Sequence, residues 1–324
     1  MADDAKPLVI QTEDLSEEPA RWLGERCELV RCSHLDQPQF GNLLARAQGL
    51  VVRTYTPVDE HLLDQAPHLK VVGRAGVALE NIDIGACRKR GVEVVHTPGS
   101  NTRAVVEYVT LLMIDALRPR EYVAHAVNQG DWNAMRQRNT THRQLSDMTI
   151  GILGFGKIGT GVARVAKALD MRVLYNDVRE ITEDQQVAGC ESVSPEQLFA
   201  DADIVTVHID ARSSNTHFVH AKLLSTMKQD VTFLNTSRGF VLDPFALADA
   251  MLKRPQAQAL IDVHDPHEPV DGSYPLLDIE NVTLLPHLAS CTQTAKTNMS
   301  WVVRDVWRVI TGEQPEWAAP SWDT

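Results

Sequence analysis

The chain has 324 residues, 44% apolar and 23% charged, enough for about two domains with sizeable cores and too apolar for a disordered chain. Lys plus Arg is 31 and Asp plus Glu is 43, so the formal net charge of −12 excludes a general polyanion or nucleic-acid binder, and any anionic ligand must be met by local donors. No apolar stretch is long enough to span a membrane and the acidic start lacks an apolar leader core; Cys27, Cys32, Cys87, Cys190 and Cys291 form no Cys-x-x-Cys pair and read as free thiols of a cytoplasmic protein.

In chain order, short runs rich in Val, Ile and Leu alternate with segments of helical spacing. The first block predicts strands over 8–11, 27–31, 50–53, 70–73 and 93–96, with helical spacing over 40–47 and 58–65. Such runs suit strands buried on both faces, as in a parallel sheet covered by helices. Residues 102–117 carry Val105, Val106, Val109, Leu112, Met113 and Ala116 at helical spacing, which predicts a buried helix interrupted at Arg118-Pro119-Arg120. Residues 130–147 are polar and poorly periodic and read as a long connection or arm. The second block predicts strands over 149–153, 172–176, 204–209, 232–235, 259–263 and 283–285. Ser194-Pro195 and Asp243-Pro244 are helix starts, each with a side-chain cap and Pro at the first helical position. A last helical pattern covers 292–310, and the tail from Gly312 is loop-like. Alternating strands and helices imply right-handed crossovers and doubly wound α/β layers.

The strongest local signal is Gly154-Phe155-Gly156-Lys157-Ile158-Gly159, which follows the apolar strand ending at Leu153 and opens a helix with Val162, Val165, Ala166 and Leu169 on one face. Asp177 ends the next strand, 18 positions past the last glycine. Strand, glycine loop, helix, strand and acid in this order form the dinucleotide fingerprint. Gly154 permits the tight turn, Gly156 lets backbone N–H groups approach the pyrophosphate, and Gly159 lets the helix pack close to the sheet. Asp177 would accept the adenosine ribose hydroxyls and repel a 2′-phosphate, which favours NAD over NADP.

Three further residues stand at or just after predicted strand ends, where open α/β sheets bind ligands. Arg238 lies in Asn235-Thr236-Ser237-Arg238-Gly239, Glu268 in Asp262-Val263-His264-Asp265-Pro266-His267-Glu268-Pro269, and His287 in Leu285-Pro286-His287-Leu288-Ala289-Ser290. These segments and the glycine loop, in this order, resemble the D-isomer-specific 2-hydroxyacid dehydrogenases. So do Val71-Val72-Gly73-Arg74-Ala75-Gly76-Val77-Ala78-Leu79-Glu80-Asn81-Ile82-Asp83 and His96-Thr97-Pro98-Gly99-Ser100-Asn101-Thr102, so the likeness covers roughly residues 8 to 312.

The resemblance implies an NAD-dependent oxidoreductase that moves a hydride between nicotinamide and C2 of a D-2-hydroxy or 2-oxo acid. His287 would be the general acid/base, with Glu268 pairing with it and raising its pKa. Arg238 would bind the substrate carboxylate and polarise the C2 carbonyl. Gly154, Gly156, Lys157, Ile158, Gly159, Asp177, His208, Thr236 and Asp262 are the implied cofactor contacts, with Asp262 on the nicotinamide amide. The N–H groups of Val77 and Ala78 would hold the substrate carboxylate, and no metal is implied. Two doubly wound, Rossmann- or flavodoxin-like domains around a cleft are expected. Residues 1–100 and 290–324 would form the substrate domain, and residues 101–289 an inserted NAD-binding domain. Relatives of this kind are usually homodimers through the nucleotide domain.

Some positions depart from the family pattern. Ala78 stands where Gly is usual, Ile209-Asp210 follows His208 where an apolar residue and then Pro are usual, and Glu268 follows Asp262 by six residues instead of five, which leaves Asp265 as an alternative partner for His287. Leu50-Val51-Val52-Arg53-Thr54 looks most like phosphoglycerate dehydrogenases, in which the matching Arg helps hold an anionic substrate. No C-terminal regulatory domain is expected. Glyoxylate/hydroxypyruvate reduction stays open, as does an NAD(H)-sensing role like that of the C-terminal-binding corepressors.

Overall fold

The computed structural model describes residues 6–118, 120–183, 186–269 and 271–320. The start of the chain and Pro119, read above as leader-free and as a helix breaker, lie outside the described residues. Contacts divide the chain into two compact units, Met1–Asn101 with Cys291–Thr324, and Thr102–Ser290.

The first unit runs β1 (Leu8–Gln11), α1 (Glu17–Gly24), β2 (Glu28–Arg31), α2 (Gln39–Leu44), β3 (Gly49–Val52), α3 (Glu60–Asp64), β4 (Val71–Arg74), α4 (Ile84–Lys89) and β5 (Glu93–Val95). Its five parallel strands take the order β2-β1-β3-β4-β5, the flavodoxin-like winding. Period-two alternation divides the side chains between two cores: Val9, Val51, Val71 and Val95 face one, and Ile10, Leu50, Val52 and Val72 the other. Asp59 and Asp83 cap α3 and α4 by accepting the N–H groups of Leu62 and Ala86 at 2.9 and 2.7 Å. The C-terminal part of the chain returns to this unit as two helices, numbered α11 (Gln293–Ser300) and α12 (Val303–Ile310) in chain order. The single helical pattern expected over 292–310 therefore breaks at Trp301 and Val302. Val302, Val303 and Val306 seal the first of the two cores.

The second unit opens with α5 (Thr102–Leu117), over the range expected of the long apolar segment. α6 (Gln129–Arg138) then forms where an irregular arm was expected. None of its residues is buried, so there was no apolar stripe to read; Asn128 caps it, accepting the Asp131 N–H at 2.9 Å. The rest runs β6 (Thr149–Leu153), α7 (Lys157–Ala168), β7 (Arg172–Asn176), β8 (Cys190–Ser192), α8 (Pro195–Asp201), β9 (Ile204–Val207), α9 (Ala221–Ser225), β10 (Thr232–Asn235), α10 (Pro244–Leu252), β11 (Gln258–Ile261) and β12 (Val282–Leu284). Seven parallel strands take the order β12-β11-β10-β9-β6-β7-β8, a Rossmann winding whose reversal falls between β6 and β9. β8 had no apolar signal because it is a three-residue edge strand, partly exposed along its length.

Ser194 and Asp243 cap α8 and α10 as their Ser-Pro and Asp-Pro starts require, accepting N–H groups at 3.2 and 3.0 Å. One face of the sheet buries Val105, Val109, Met113, Val162 and Ala166 of α5 and α7. The other buries Leu198, Phe199, Leu247 and Met251 of α8 and α10. Each large side chain so buried stabilises the fold by roughly 1.5–3 kcal/mol. At the base of β9 the buried Asp203 carboxylate accepts the Thr149 N–H at 2.7 Å, Arg143 Nη1 at 3.0 Å and Lys228 Nζ at 2.9 Å.

Candidate active site

β6 delivers the chain to Gly154, whose φ of +95° lies in the region glycine tolerates. A Cβ there would stand 2.6 Å from the His208 carbonyl, so the loop crosses directly over the end of β9, at the reversal of strand order. Gly156 is the N-cap of α7, and Lys157 and Ile158 form its first turn. Gly159 packs on the Gly154 carbonyl, and buried Phe155 stacks on Tyr175 with centroids 4.0 Å apart. The unpaired first-turn N–H groups of a helix, with its dipole, form a diphosphate site that needs little cationic help.

Asp177 follows β7 and is clamped. Its carboxylate accepts the Phe155 N–H at 2.7 Å, the Arg179 N–H at 2.9 Å, and the Arg179 guanidinium at 3.0 and 3.1 Å. Burial resists ionisation, but the Arg179 guanidinium and the two N–H groups outweigh it, so the carboxyl lies below its ordinary range. Arg179 was missed because an Arg in a loop reads as a solvated charge.

Three buried polar atoms have no partner among the described residues: Gln11 Oε1 lies in the other unit, and this unit holds a pair, His208 Nδ1 after β9 and Thr236 Oγ1 after β10. Each costs about 1–3 kcal/mol if left unpaired, so the pair points to a ligand at these strand ends. Burial pushes the His208 pKa down to about 3, so its ring is neutral, with Nε2 2.9 Å from Thr206 Oγ1. Glycine loop, acid and unpaired atoms all stand at the carboxyl ends of neighbouring strands, and they fit a dinucleotide. Asp210 pairs with Arg212 at 2.7 Å and takes the Asn215 amide, which makes it a loop tie.

Fully buried Asn235 shapes the next turn. Its Oδ1 accepts the Ser237 N–H at 3.1 Å and its Nδ2 donates to the Arg238 carbonyl at 3.0 Å. This side-chain turn was legible in principle, since Asn caps its own backbone two residues on. Arg238 leaves that turn with Nη1 donating to the Ser237 carbonyl at 2.6 Å. Asp262, read above as a nicotinamide contact, is fully buried, and its two oxygens accept the N–H groups of Leu288 and Ala289 at 2.8 and 2.9 Å. Those bonds hold the segment that carries His287.

His287 is an exposed residue, yet partial desolvation by the segments around it is the largest influence on it and lowers its pKa. Asp262 opposes that shift, Arg238 reinforces it, Glu268 opposes it and His264 reinforces it, in falling order. Glu268 pushes the His287 pKa upward, the direction expected of it, but desolvation outweighs that push and the net shift is downward. Asp265, the alternative partner, lies 3.8 Å from His217 Nε2. Among the described residues, no group of three or more His, Cys, Asp or Glu is arranged to hold a metal.

In the other unit, Arg53 follows β3. The backbone N–H groups of Arg53, Thr54, Tyr55 and Thr56 all donate to the Glu13 carboxylate, at 3.0, 2.9, 3.2 and 3.3 Å. Arg53 Nη1 reaches the Asp14 carbonyl at 3.4 Å. Glu13 had no sequence signal, because it meets its partners across 40 or more residues. Asn81 Nδ2 donates to the carbonyls of Arg53 and Thr56 at 3.2 and 2.7 Å, which joins this loop to the one after β4. Val77 and Ala78 lie in that second loop, partly buried, with His96 Nδ1 2.8 Å from the Val77 carbonyl.

The profile of a family described as "D-isomer specific 2-hydroxyacid dehydrogenase, NAD binding domain" matches residues 110–289. The chain is 31% identical to a D-3-phosphoglycerate dehydrogenase of Archaeoglobus fulgidus over 298 residues, 92% of this chain but 56% of that protein. It thus spans little more than half the length of that relative. It is 30% identical to a glyoxylate reductase of Aeropyrum pernix over 309 residues, 93% of this chain and 91% of that one. A D-lactate dehydrogenase of Aquifex aeolicus, solved with NAD and lactic acid, superposes with a TM-score of 0.77 over 94% of this chain and 96% of its own, at 23% identity.

Proposed function

Because the chain belongs to the D-isomer-specific 2-hydroxyacid dehydrogenases, we propose that it catalyses reversible NAD-dependent hydride transfer at C2 of a small 2-hydroxy or 2-oxo acid. One observation carries this reading: the buried Asp262 carboxylate holds the Leu288 and Ala289 N–H groups beside His287, the Arg238 turn packs on the His264 carbonyl of the loop that leads to Glu268, and His287 lies within electrostatic reach of all three charges. A proton-transfer group, a fixed cation and two carboxylates therefore gather at the carboxyl ends of adjacent strands. The unit Thr102–Ser290 serves as the NAD-binding domain and the remainder as the substrate domain.

NADH, when bound, supplies the hydride that reaches C2. Arg238 binds the substrate carboxylate and stabilises negative charge growing on the C2 oxygen. His287 donates the proton that this oxygen takes up, and recovers it in the reverse direction. Glu268 favours the imidazolium, and Val77 and Ala78 offer N–H groups to the substrate carboxylate. Gly154, Gly156, Lys157, Ile158 and Gly159 hold the pyrophosphate, Asp177 the adenosine ribose, and Thr236 and His208 line the cofactor.

The Glu13 carboxylate occupies the N–H groups of the Arg53 loop and sets a negative charge beside Arg53. This favours a singly charged 2-oxo acid such as glyoxylate or hydroxypyruvate over a phosphorylated one. The test is kcat/KM with NADH for glyoxylate, hydroxypyruvate and 3-phosphohydroxypyruvate. Tight NADH binding with no turnover on any of them overturns the enzyme reading in favour of an NAD(H)-sensing binding protein.

The protein acts in the cytoplasm as a homodimer in this reading. Leu111 and Ile114 of α5, with Tyr122, Val123, Val127 and Trp132 beyond it, leave apolar surface exposed that a second copy would cover. No helix among the described residues is long and apolar enough to cross a membrane. A monomeric mass by light scattering overturns the dimer.

A further inference from the structure

We infer that His264 is a positioning residue which, together with Asp262, clamps both flanks of His287 and holds its imidazole in the working orientation. The inference rests on the hydride-transfer reading and deepens it. His287 has a φ of +54°, in the left-handed region, where a residue bearing a Cβ is strained. Such a conformation persists only where its surroundings hold it.

The clamp comes from two residues two positions apart. Before His287, the Leu285 carbonyl lies 2.8 Å from His264 Nε2. A carbonyl only accepts, so Nε2 carries the proton. On the other side of the ring, Nδ1 lies 3.2 Å from the Tyr274 hydroxyl. Tyr274 is buried and meets the His264 ring edge-on at 5.4 Å, which fixes the imidazole plane. After His287, the Leu288 and Ala289 N–H groups donate to Asp262 at 2.8 and 2.9 Å. The segment is thus held by an acceptor on one side and two donors on the other.

The same residue also touches the loop of Arg238. A Cβ on Gly239 would lie 1.9 Å from the His264 carbonyl oxygen, so glycine alone admits this approach. Through its backbone His264 sets the height of the Arg238 turn, and through its ring it sets the His287 segment. Misplacing a proton donor by about 1 Å costs up to a hundredfold in rate.

The test uses His264→Phe, His264→Gln and Tyr274→Phe, each checked for folding and NADH affinity. His264→Phe fills the space without donating, while the Gln amide N–H reaches the place of Nε2. The expected result for the Phe variant is a loss of about tenfold to a hundredfold in kcat, with NADH affinity and KM for the 2-oxo acid changed less than about threefold. His264→Gln recovers most of the loss. As a second readout, the His287 ring titrated by NMR moves from below 6.5 toward that ordinary value in the Phe variant, because a released loop rehydrates it and the downward influence of His264 itself is gone, and it makes a smaller upward move in Tyr274→Phe, which keeps His264. Wild-type kcat with an unmoved titration overturns the inference. So does a Gln variant no better than Phe with parallel loss of NADH affinity. Should the Phe variant fail to fold, Tyr274→Phe carries the same readouts with a drop of about threefold in kcat, and no change in either overturns the clamp. The titration needs no substrate, so it tests the clamp even where the wild type reduces no 2-oxo acid, an outcome that overturns the proposed function alone.

Discussion

The Arg179 guanidinium closes over the Asp177 carboxylate, Nε 3.0 Å from Oδ1 and Nη2 3.1 Å from Oδ2. The acid that follows β7 is therefore paired inside its own loop, with a half-exposed cation beside it of the kind that can accommodate a 2′-phosphate. NADPH should bind within about tenfold of NADH, closer than an unpaired acid would allow. Arg179→Ala should weaken NADPH by about tenfold and leave NADH within about twofold. Calorimetric titration of both cofactors checks this; equal NADPH affinity in the two proteins removes Arg179 from the site.

Burial places the His287 pKa below 6.5. Reduction needs the imidazolium, so its kcat/KM should fall as pH rises through that value. Oxidation needs the neutral ring and should rise through the same value. Glu268→Gln removes an upward influence and should move both limbs further down. An upward move in the pH profile would contradict the assigned role.

His208 is neutral in the folded protein, with a pKa of about 3 against 6.5 when unfolded. The unfolded chain then binds the extra proton between those values, so stability is full above 6.5 and is lost as pH falls toward 3. His208→Gln should flatten the decline of Tm between about pH 7 and pH 4. Calorimetry on both proteins reads the difference, and identical slopes refute it.

The Asp203 carboxylate joins Arg143, Lys228 and the Thr149 N–H while 7% exposed. Asp203→Ala strands two cations and a donor. With both cations about a third exposed, the loss should be near about 3 kcal/mol, the lower end for breaking a buried pair. Urea unfolding measures it, and a change below about 1 kcal/mol would place the network at the solvated surface.

Much of this protein is local chemistry that the chain states directly. β1, β6, β7 and β10 coincide with their apolar runs, because strands buried on both faces need little beyond Val, Ile and Leu. The glycine loop and the Ser194-Pro195 and Asp243-Pro244 starts are legible because turn, cap and helix lie within a few residues. α6 was not, since a helix with no buried face carries no stripe to read. What tertiary structure alone decided is where each polar group's bonds go. Glu13 meets the Arg53 loop, Asp262 meets Leu288 and Ala289, and His264 meets Leu285, each across 20 or more residues. Desolvation then outweighs the upward push of Glu268 on His287, because it depends on packing from many segments and no motif spells it out.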